Sequence, residues 1–338
     1  MTQKSILFTK VNTAQLVGEP IPVPASGEVL VKLAFSTISS GTERANLTGE
    51  LNISLVERFE KAIFPRRGGY SSAGVVQAVG EGVTSVQPGD RVAVSWSTHC
   101  QYVCAQERYV YKLDEETPFS EAALWHIGTF PMAAIRKCRL EIGESAIVMG
   151  LGVLGRMAVQ LLRCAGAAPI IAADPVEAKR VQALRDGADY ALDPFDPDFA
   201  QQVKALTGGG VKVAIEVTGN GKALDTVLDC MERFGRVALL GCTRDSDFTI
   251  DYYHKVHGPG ITLVGAHTNA RPDESSYPGM WTTRDDVLAI QRLVRHGRLT
   301  LQPLVEEVHS PAECFEVYHR LATEKSFPLV QFDWGRLE

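Results

Sequence analysis

The residues best spaced for chemistry lie between Ser145 and Asp174. An apolar run, Ala146-Ile147-Val148-Met149, leads into Gly150-Leu151-Gly152-Val153-Leu154-Gly155. In a strand, turn and helix, the first glycine of this spacing allows a tight turn and the second lets the backbone approach a pyrophosphate. The third lets helix and strand pack closely. The N–H groups that open the helix, at Val153 and Leu154, then face the phosphate charge. Asp174 lies nineteen residues past Gly155. An acidic side chain there accepts both ribose hydroxyls and repels a 2′-phosphate, so the expected cofactor is NAD(H). Lys179, on the next helix, is placed either to touch the adenosine ribose or to stay solvated. Thr218-Gly219 and Gly241-Cys242 end strands at the carboxyl edge of a parallel sheet, where ligands of open α/β sheets collect, and are expected to contact the cofactor. His267, two past Gly265, is expected to reach the substrate from the end of the last strand.

The elements around these residues follow from periodicity and punctuation. Leu154, Ala158, Leu161, Leu162 and Ala165 share one helical face, which stops at Gly166, and a second apolar run from Pro169 to Ala173 ends on Asp174. Strand and helix then alternate: helix Val176 to Asp186, strand Tyr190 to Leu192, helix Phe199 to Leu206, strand Val211 to Val217, helix Ala223 to Phe234, strand Arg236 to Gly241 and strand Ile261 to Val264. Such alternation predicts a parallel sheet with helices on both faces. The first third instead reads as β-rich, with strands at Glu28 to Phe35, Ala73 to Val79 and Arg91 to Ser95 separated by Gly and Pro turns. A long amphipathic helix is expected at Arg284 to His296. The 338 residues are enough for two domains, and 45% hydrophobic with 22% charged residues is a globular composition. A net charge of −6 gives no reason to expect nucleic acid or an anionic membrane as partner. No apolar run approaches a membrane span and no signal peptide is visible at the N-terminus. Seven scattered cysteines suit free thiols in a reducing cytoplasm.

Gly27-Glu28-Val29-Leu30-Val31-Lys32, Gly80 to Gly82, Pro88-Gly89-Asp90-Arg91-Val92 and Gly150 to Gly155 follow one another in order. In that order they resemble the medium-chain dehydrogenase/reductase superfamily over nearly the full length. The resemblance implies an N-terminal GroES-like β-rich catalytic domain, discontinuous over residues 1–125 and 270–338. A Rossmann NAD-binding domain, a doubly wound parallel sheet over residues 126–269, would lie between. Pairing of such chains through the last sheet strand, here Ile261 to Val264, makes a homodimer the expected state.

Zinc-dependent members carry a Cys-Gly-Thr-Asp-like stretch, a Gly-His-Glu stretch and a third ligand before the nucleotide domain. Here those positions hold Ser40 (in Ser40-Gly41-Thr42-Glu43), Tyr70 and Ser71, and Trp125 with His126 beside it. A catalytic zinc wants three ligands from Cys, His, Asp or Glu, so no metal is expected. Ser40 to Arg44 and Gly69 to Gly74 resemble a zinc-less branch containing the bacteriochlorophyllide dehydrogenases and two-domain sugar-linked oxidoreductases. Without zinc, a side chain must hold the proton while hydride moves. The candidates are Tyr70 and His126 as general acid/base, with Thr42 and Ser40 orienting the substrate and Trp125 and His267 facing it. By the same resemblance Thr129 borders the nicotinamide. Glu43 and Arg44 read as a surface or interface ion pair. The expected function is zinc-independent, NAD-linked oxidation of a hydroxylated compound such as a sugar, polyol or cyclitol. Quinone or enoyl reduction, and dinucleotide binding without turnover, are the competing readings.

Overall fold

A computed structural model describes residues 1–54, 56–244 and 247–337. The chain divides into two compact units, Met1–Ile127 with Thr300–Glu338, and Gly128–Leu299. The division falls inside the helix Trp125–Lys137.

The first unit is built around the strand Glu28–Thr37, which is buried over residues 29–31 and 36–37 and pairs on both edges. It pairs antiparallel with Ser71–Val79, with Tyr102–Gln106 and with the C-terminal strand Val330–Asp333. The tail therefore adds a strand to the N-terminal sheet, with Gln331 opposite Thr37 and Phe332 opposite Ser36. Phe8, Val29, Val31, Val94, Tyr318, Leu321 and Phe332 are among the buried side chains of its core.

The second unit holds a six-stranded sheet in the order Tyr190–Leu192, Ile170–Ala173, Ala146–Met149, Val211–Glu216, Met231–Leu239 and Thr262–Gly265. Every pairing is parallel, as the strand–helix alternation predicts. Ala146–Met149 and Ile170–Ala173 are buried throughout, the pattern of strands covered on both faces.

Two elements depart from expectation. The helix expected over Ala223 to Phe234 runs from Gly221 to Asp229, and Met231–Leu239 is a single strand. Pairing of Met231 with Val211 draws this stretch into the sheet, so hydrogen bonds distant in sequence override local helical pattern. Residues 270–299, assigned by resemblance to the first domain, cluster with the second unit. Their helix Thr283–Arg295 is anchored there by the fully buried Asp286, which pairs with Arg136 at 2.9 Å and lies 3.6 Å from Arg271.

Candidate active site

The second unit supplies the dinucleotide cradle. Leaving the buried strand Ala146–Met149, the chain must turn at once to start the helix Val153–Ala165. Gly150 makes that turn at φ 96°, a region open mainly to glycine. A Cβ on Gly155 would stand 1.9 Å from the Gly150 carbonyl oxygen, so helix and loop approach this closely only because the residue is glycine. Gly152 is different. A Cβ there would meet nothing within 4 Å, which leaves open space for a pyrophosphate beside the helix start. Asp174, only 6% exposed, accepts the Leu151 N–H on Oδ2 and the Val176 N–H on Oδ1, each at 2.9 Å. It ties the glycine loop to the loop after the second strand. A carboxylate offers about four lone-pair sites, so these two amides leave capacity for a ribose diol. The open space at Gly152 and the Asp174 carboxylate fit a dinucleotide.

Two supports of this cradle were not legible in the sequence. Arg180 Nη1 donates to the carbonyls of Asp174 at 2.7 Å and Pro175 at 3.0 Å, bracing the loop from the helix Glu177–Asp186. Lys179, one residue earlier, is half-buried. Glu216, at the carboxyl end of its strand and 1% exposed, accepts the Thr218 N–H at 2.7 Å, the Thr218 hydroxyl, and the Gly219 N–H at 3.1 Å. Burial pushes its pKa up, while the Thr218 and Gly219 donors pull it back. The turn it holds abuts both neighbours. A Cβ on Gly150 would meet Thr218 Cγ2 at 2.8 Å, and one on Gly241 would meet Gly219 N at 2.1 Å. Thr218, Gly219, Gly241 and the exposed Cys242 are thus gathered beside Gly150 at the carboxyl edge of the sheet. Thr129 is fully buried and its carbonyl accepts from Arg271 Nη2 at 3.3 Å. His267 accepts the Asn269 N–H on Nδ1 at 3.1 Å. Burial, with Arg244 and Lys137 nearby, lowers its pKa, so near neutral pH it is an uncharged imidazole with its proton on Nε2.

The first unit holds the candidate proton-handling groups. Tyr70 enters the strand Ser71–Val79 directly after Gly69, and a Cβ on Gly69 would clash with His99 at 2.9 Å. The Tyr70 phenol hydrogen-bonds to Ser39 Oγ. His126 stands edge-on to Tyr70 with ring centroids 5.6 Å apart, and Trp96 lies 4.5 Å from His126 and 6.2 Å from Tyr70. The approach to Trp125 and His126 is clamped, because Thr37 Oγ1 and Ser71 Oγ donate to the Ala123 carbonyl at 2.8 and 2.7 Å. Trp96 is held at φ 59° with 39% of its surface exposed. A bulky residue in the left-handed region is strained, and such outliers gather at functional sites.

Tyr70 and His126, separate in sequence, are therefore brought together, and two partners went unforeseen. Trp96 had no sequence signal. The hydroxyl on Tyr70 belongs to Ser39, whereas Ser40 opens the helix Ser40–Thr48 and Thr42 lies within it, its carbonyl accepting from Asn46 at 3.0 Å. Trp125 is fully buried rather than exposed to a ligand. Glu43 and Arg44 are not a surface pair. Glu43 is 1% exposed and holds Ser39 N, His99 and Tyr318, while Arg44 donates to the Glu324 carbonyl. A carboxylate beside a helix start was worth more as a buried acceptor than as half of a solvated ion pair.

The donor set does not fit a catalytic zinc. Ser40, Tyr70 and Trp125 at the ligand positions do not supply the three Cys, His or carboxylate ligands it takes. Among the described residues no group of three or more His, Cys, Asp and Glu side chains is placed to hold a metal ion. Burial pushes the thiols of Cys100 and Cys104 up to about 11, so both are protonated near neutral pH. No helix among the described residues is long and apolar enough to cross a membrane.

Comparison with known proteins agrees with this architecture. The family model of the alcohol dehydrogenase GroES-like domain matches residues 25–135, and that of the zinc-binding dehydrogenases matches residues 153–283. An L-threonine 3-dehydrogenase from Pyrococcus horikoshii is 27% identical, the match covering 94% of each chain. A D-guloside 3-dehydrogenase from Escherichia coli is 26% identical over 61% of this chain and 59% of its own. Among solved structures, a short chain alcohol dehydrogenase from Escherichia coli complexed with NADH superposes with a TM-score of 0.83 at 18% identity, over 98% of this chain and 99% of that one. That last likeness bears on the fold alone. With ordered motifs, both family models and full-length relatives in agreement, the chain belongs to the alcohol dehydrogenase-like medium-chain dehydrogenase/reductase superfamily.

Proposed function

We propose that this protein is an NAD(H)-dependent dehydrogenase that oxidises a hydroxyl group of a polar, hydroxylated molecule, or reduces the matching ketone, without zinc. The observation that carries the reading is the Tyr70 phenol, hydrogen-bonded to Ser39 and edge-on to His126, at a position where zinc-dependent relatives carry a ligand. A nicotinamide dinucleotide held by Gly152, Val153, Leu154 and Asp174 supplies the hydride acceptor or donor. Tyr70 Oη holds the proton that leaves or joins the substrate oxygen, and Ser39 Oγ supports the phenol in both states. His126, 2% exposed, stands edge-on to the Tyr70 ring on one side. Asp174 favours the unphosphorylated adenosine ribose over its 2′-phosphate by charge. A sugar, polyol or cyclitol is the substrate class, in keeping with the relative that acts on a guloside and with the exposed Trp96 ring, a flat surface for a ring of C–H groups.

The edge strand Thr262–Gly265 leaves Leu263 38% exposed beside unpaired backbone groups. Such an edge invites a second strand, and we assign it to a homodimer. Seven free cysteines suit residence in a reducing cytoplasm.

The test is a spectrophotometric screen on chelator-treated protein, following NADH formation from NAD⁺ with polyols, sugars and cyclitols. A parallel screen follows NADH and NADPH consumption with quinones and enones. Turnover on a hydroxylated substrate that Tyr70→Phe lowers by about 10²- to 10⁴-fold is the expected result. Turnover on enones alone moves the assignment to double-bond reduction. NADH binding with no turnover in either screen leaves a binding protein.

A further inference from the structure

A serine at a helix N-cap ordinarily turns its hydroxyl back onto the first-turn amides. Ser39, the N-cap of Ser40–Thr48, does not, and its hydroxyl makes no cap hydrogen bond. It faces the Tyr70 phenol instead. The group that holds the Ser39 backbone is Glu43. Glu43 Oε1 accepts the Ser39 N–H at 2.8 Å, one turn along the same helix, and fixes the Ser39 backbone from behind. Glu43 is itself immobilised. Its Oε2 accepts from Tyr318 Oη at 2.5 Å and lies 3.0 Å from His99 Nε2. His99 Nδ1 lies 2.7 Å from Ser36 Oγ, which accepts from Trp334 Nε1 at 2.9 Å.

One assignment of protons satisfies every group. Trp334 donates to Ser36, Ser36 to His99 Nδ1, and His99, protonated on Nε2, donates to Glu43, which also takes the Tyr318 hydroxyl. Ser36 and His99 are 0% exposed, Glu43 and Tyr318 1%. With burial this complete, a swing of Glu43 would strand several donors away from water, at high cost. The backbone is cut to fit. A Cβ on Gly68 would stand 2.8 Å from Glu43 Oε2, and one on Gly69 would stand 2.9 Å from His99 Cδ2. The two glycines that admit Tyr70 to its place are those that make room for the chain of hydrogen bonds.

We infer that Glu43, locked by His99 and Tyr318, is a positioning residue that holds the Ser39 hydroxyl on Tyr70 and so sets the proton affinity of the phenol. As a statement about chemistry it rests on the reading of Tyr70 as general acid/base. The phenol donates to Ser39 Oγ in its neutral state, whereas a Ser39 hydroxyl donating to the phenolate is a charge-assisted and stronger bond, so loss of the hydroxyl disfavours the ionised phenol. A purely structural network would instead join the helices Ser40–Thr48 and Cys314–Thr323 without reaching the phenol.

The experiment is a double-mutant cycle of Glu43→Gln and Ser39→Ala, read two ways. One readout is the ultraviolet titration of Tyr70, taken as the difference between each protein and its Tyr70→Phe counterpart. The other is the pH profile of kcat. Ser39→Ala should raise the Tyr70 midpoint by about one pH unit, a tenfold change in proton affinity. Glu43→Gln should act on the midpoint differently in the two backgrounds, because the part of its effect that passes through Ser39 is missing once the hydroxyl is gone. Equal effects in both backgrounds would overturn the inference, even if the melting temperature falls. Should Glu43→Gln fail to fold, Tyr318→Phe replaces it in the same cycle, since its ring keeps the 4.8 Å edge contact with Phe8 and the net charge is unchanged. If Tyr70→Phe retains full turnover, the catalytic role of Tyr70 fails, while the phenol titration still decides whether Glu43 acts through Ser39.

Discussion

The three glycines of the loop between Met149 and Val153, and of the helix after it, do different work, and alanine substitution should separate two of them. At Gly155 a Cβ would stand 1.9 Å from the Gly150 carbonyl oxygen and 3.5 Å from Val148 Cγ1. The nearer obstacle is backbone inside a buried strand–helix contact and cannot rotate away, so strand and helix must separate. Overpacking of this kind costs about 1–3 kcal/mol, and a domain of this size loses about 2–4 °C per kcal/mol. Gly155→Ala should therefore melt roughly 2–12 °C below the wild type. At Gly152 a Cβ meets nothing within 4 Å and φ is −71°, a value alanine adopts freely. The only protein term is loss of a favoured N-cap residue, at most about 1 kcal/mol. Yet the methyl fills the space a pyrophosphate needs, so Gly152→Ala should lose at least about tenfold in NADH affinity, 1.4 kcal/mol or more. The assay is thermal unfolding of each protein with and without NADH at about 100 times the wild-type Kd, where binding stabilises the wild type by about 2.7 kcal/mol. Gly152→Ala should unfold near the wild type without NADH and lose about half of the shift or more with it. A Gly152→Ala protein with wild-type affinity would refute the placement of the phosphates, and an unshifted Gly155→Ala would refute the packing argument.

Trp96→Gly relieves a left-handed backbone worth about 1–2 kcal/mol but removes two ring contacts worth about 0.5–1.5 kcal/mol each beyond the apolar area they bury, so unfolding stability should fall. The KM for a cyclic hydroxylated substrate should rise about tenfold or more, and an unchanged KM would remove Trp96 from the site. Arg320, with His309 beyond it, holds the Glu307 carboxyl at about 2. Its folded pKa lies below the unfolded value, so its stabilisation is present above about pH 4 and lost as pH falls toward 2. The carboxylate is about one-third exposed and screened, which limits the contribution to about 1 kcal/mol. Glu307→Gln should lower stability at pH 7 by that amount and flatten its dependence below pH 4, and a slope identical to wild type in acid denaturation would contradict this. Leu263→Arg, on the exposed edge strand, should sediment as a single chain, and a wild-type mass would exclude that edge as the dimer contact.

What the sequence by itself determined is what short-range spacing encodes. The fingerprint from Ala146 to Asp174 lies on one strand, one turn and one helix, so each glycine's task follows from its place, and the structure adds only the distances. The parallel sheet was legible for a similar reason, since buried strands and amphipathic helices differ in period. Tertiary structure decided whatever depends on partners far apart in the chain. Met231 to Phe234 reads as helix until Val211 pairs with it. Ser39 is indistinguishable from Ser40 and Thr42 until the strand carrying Tyr70 arrives beside it, and Glu43 looks like half of an ion pair until His99 and Tyr318 close over it. Residues 270–299 join the second unit because Asp286, buried, needs the guanidinium of Arg136. A buried polar group must find a partner wherever the fold supplies one, and no local pattern records which residue that will be.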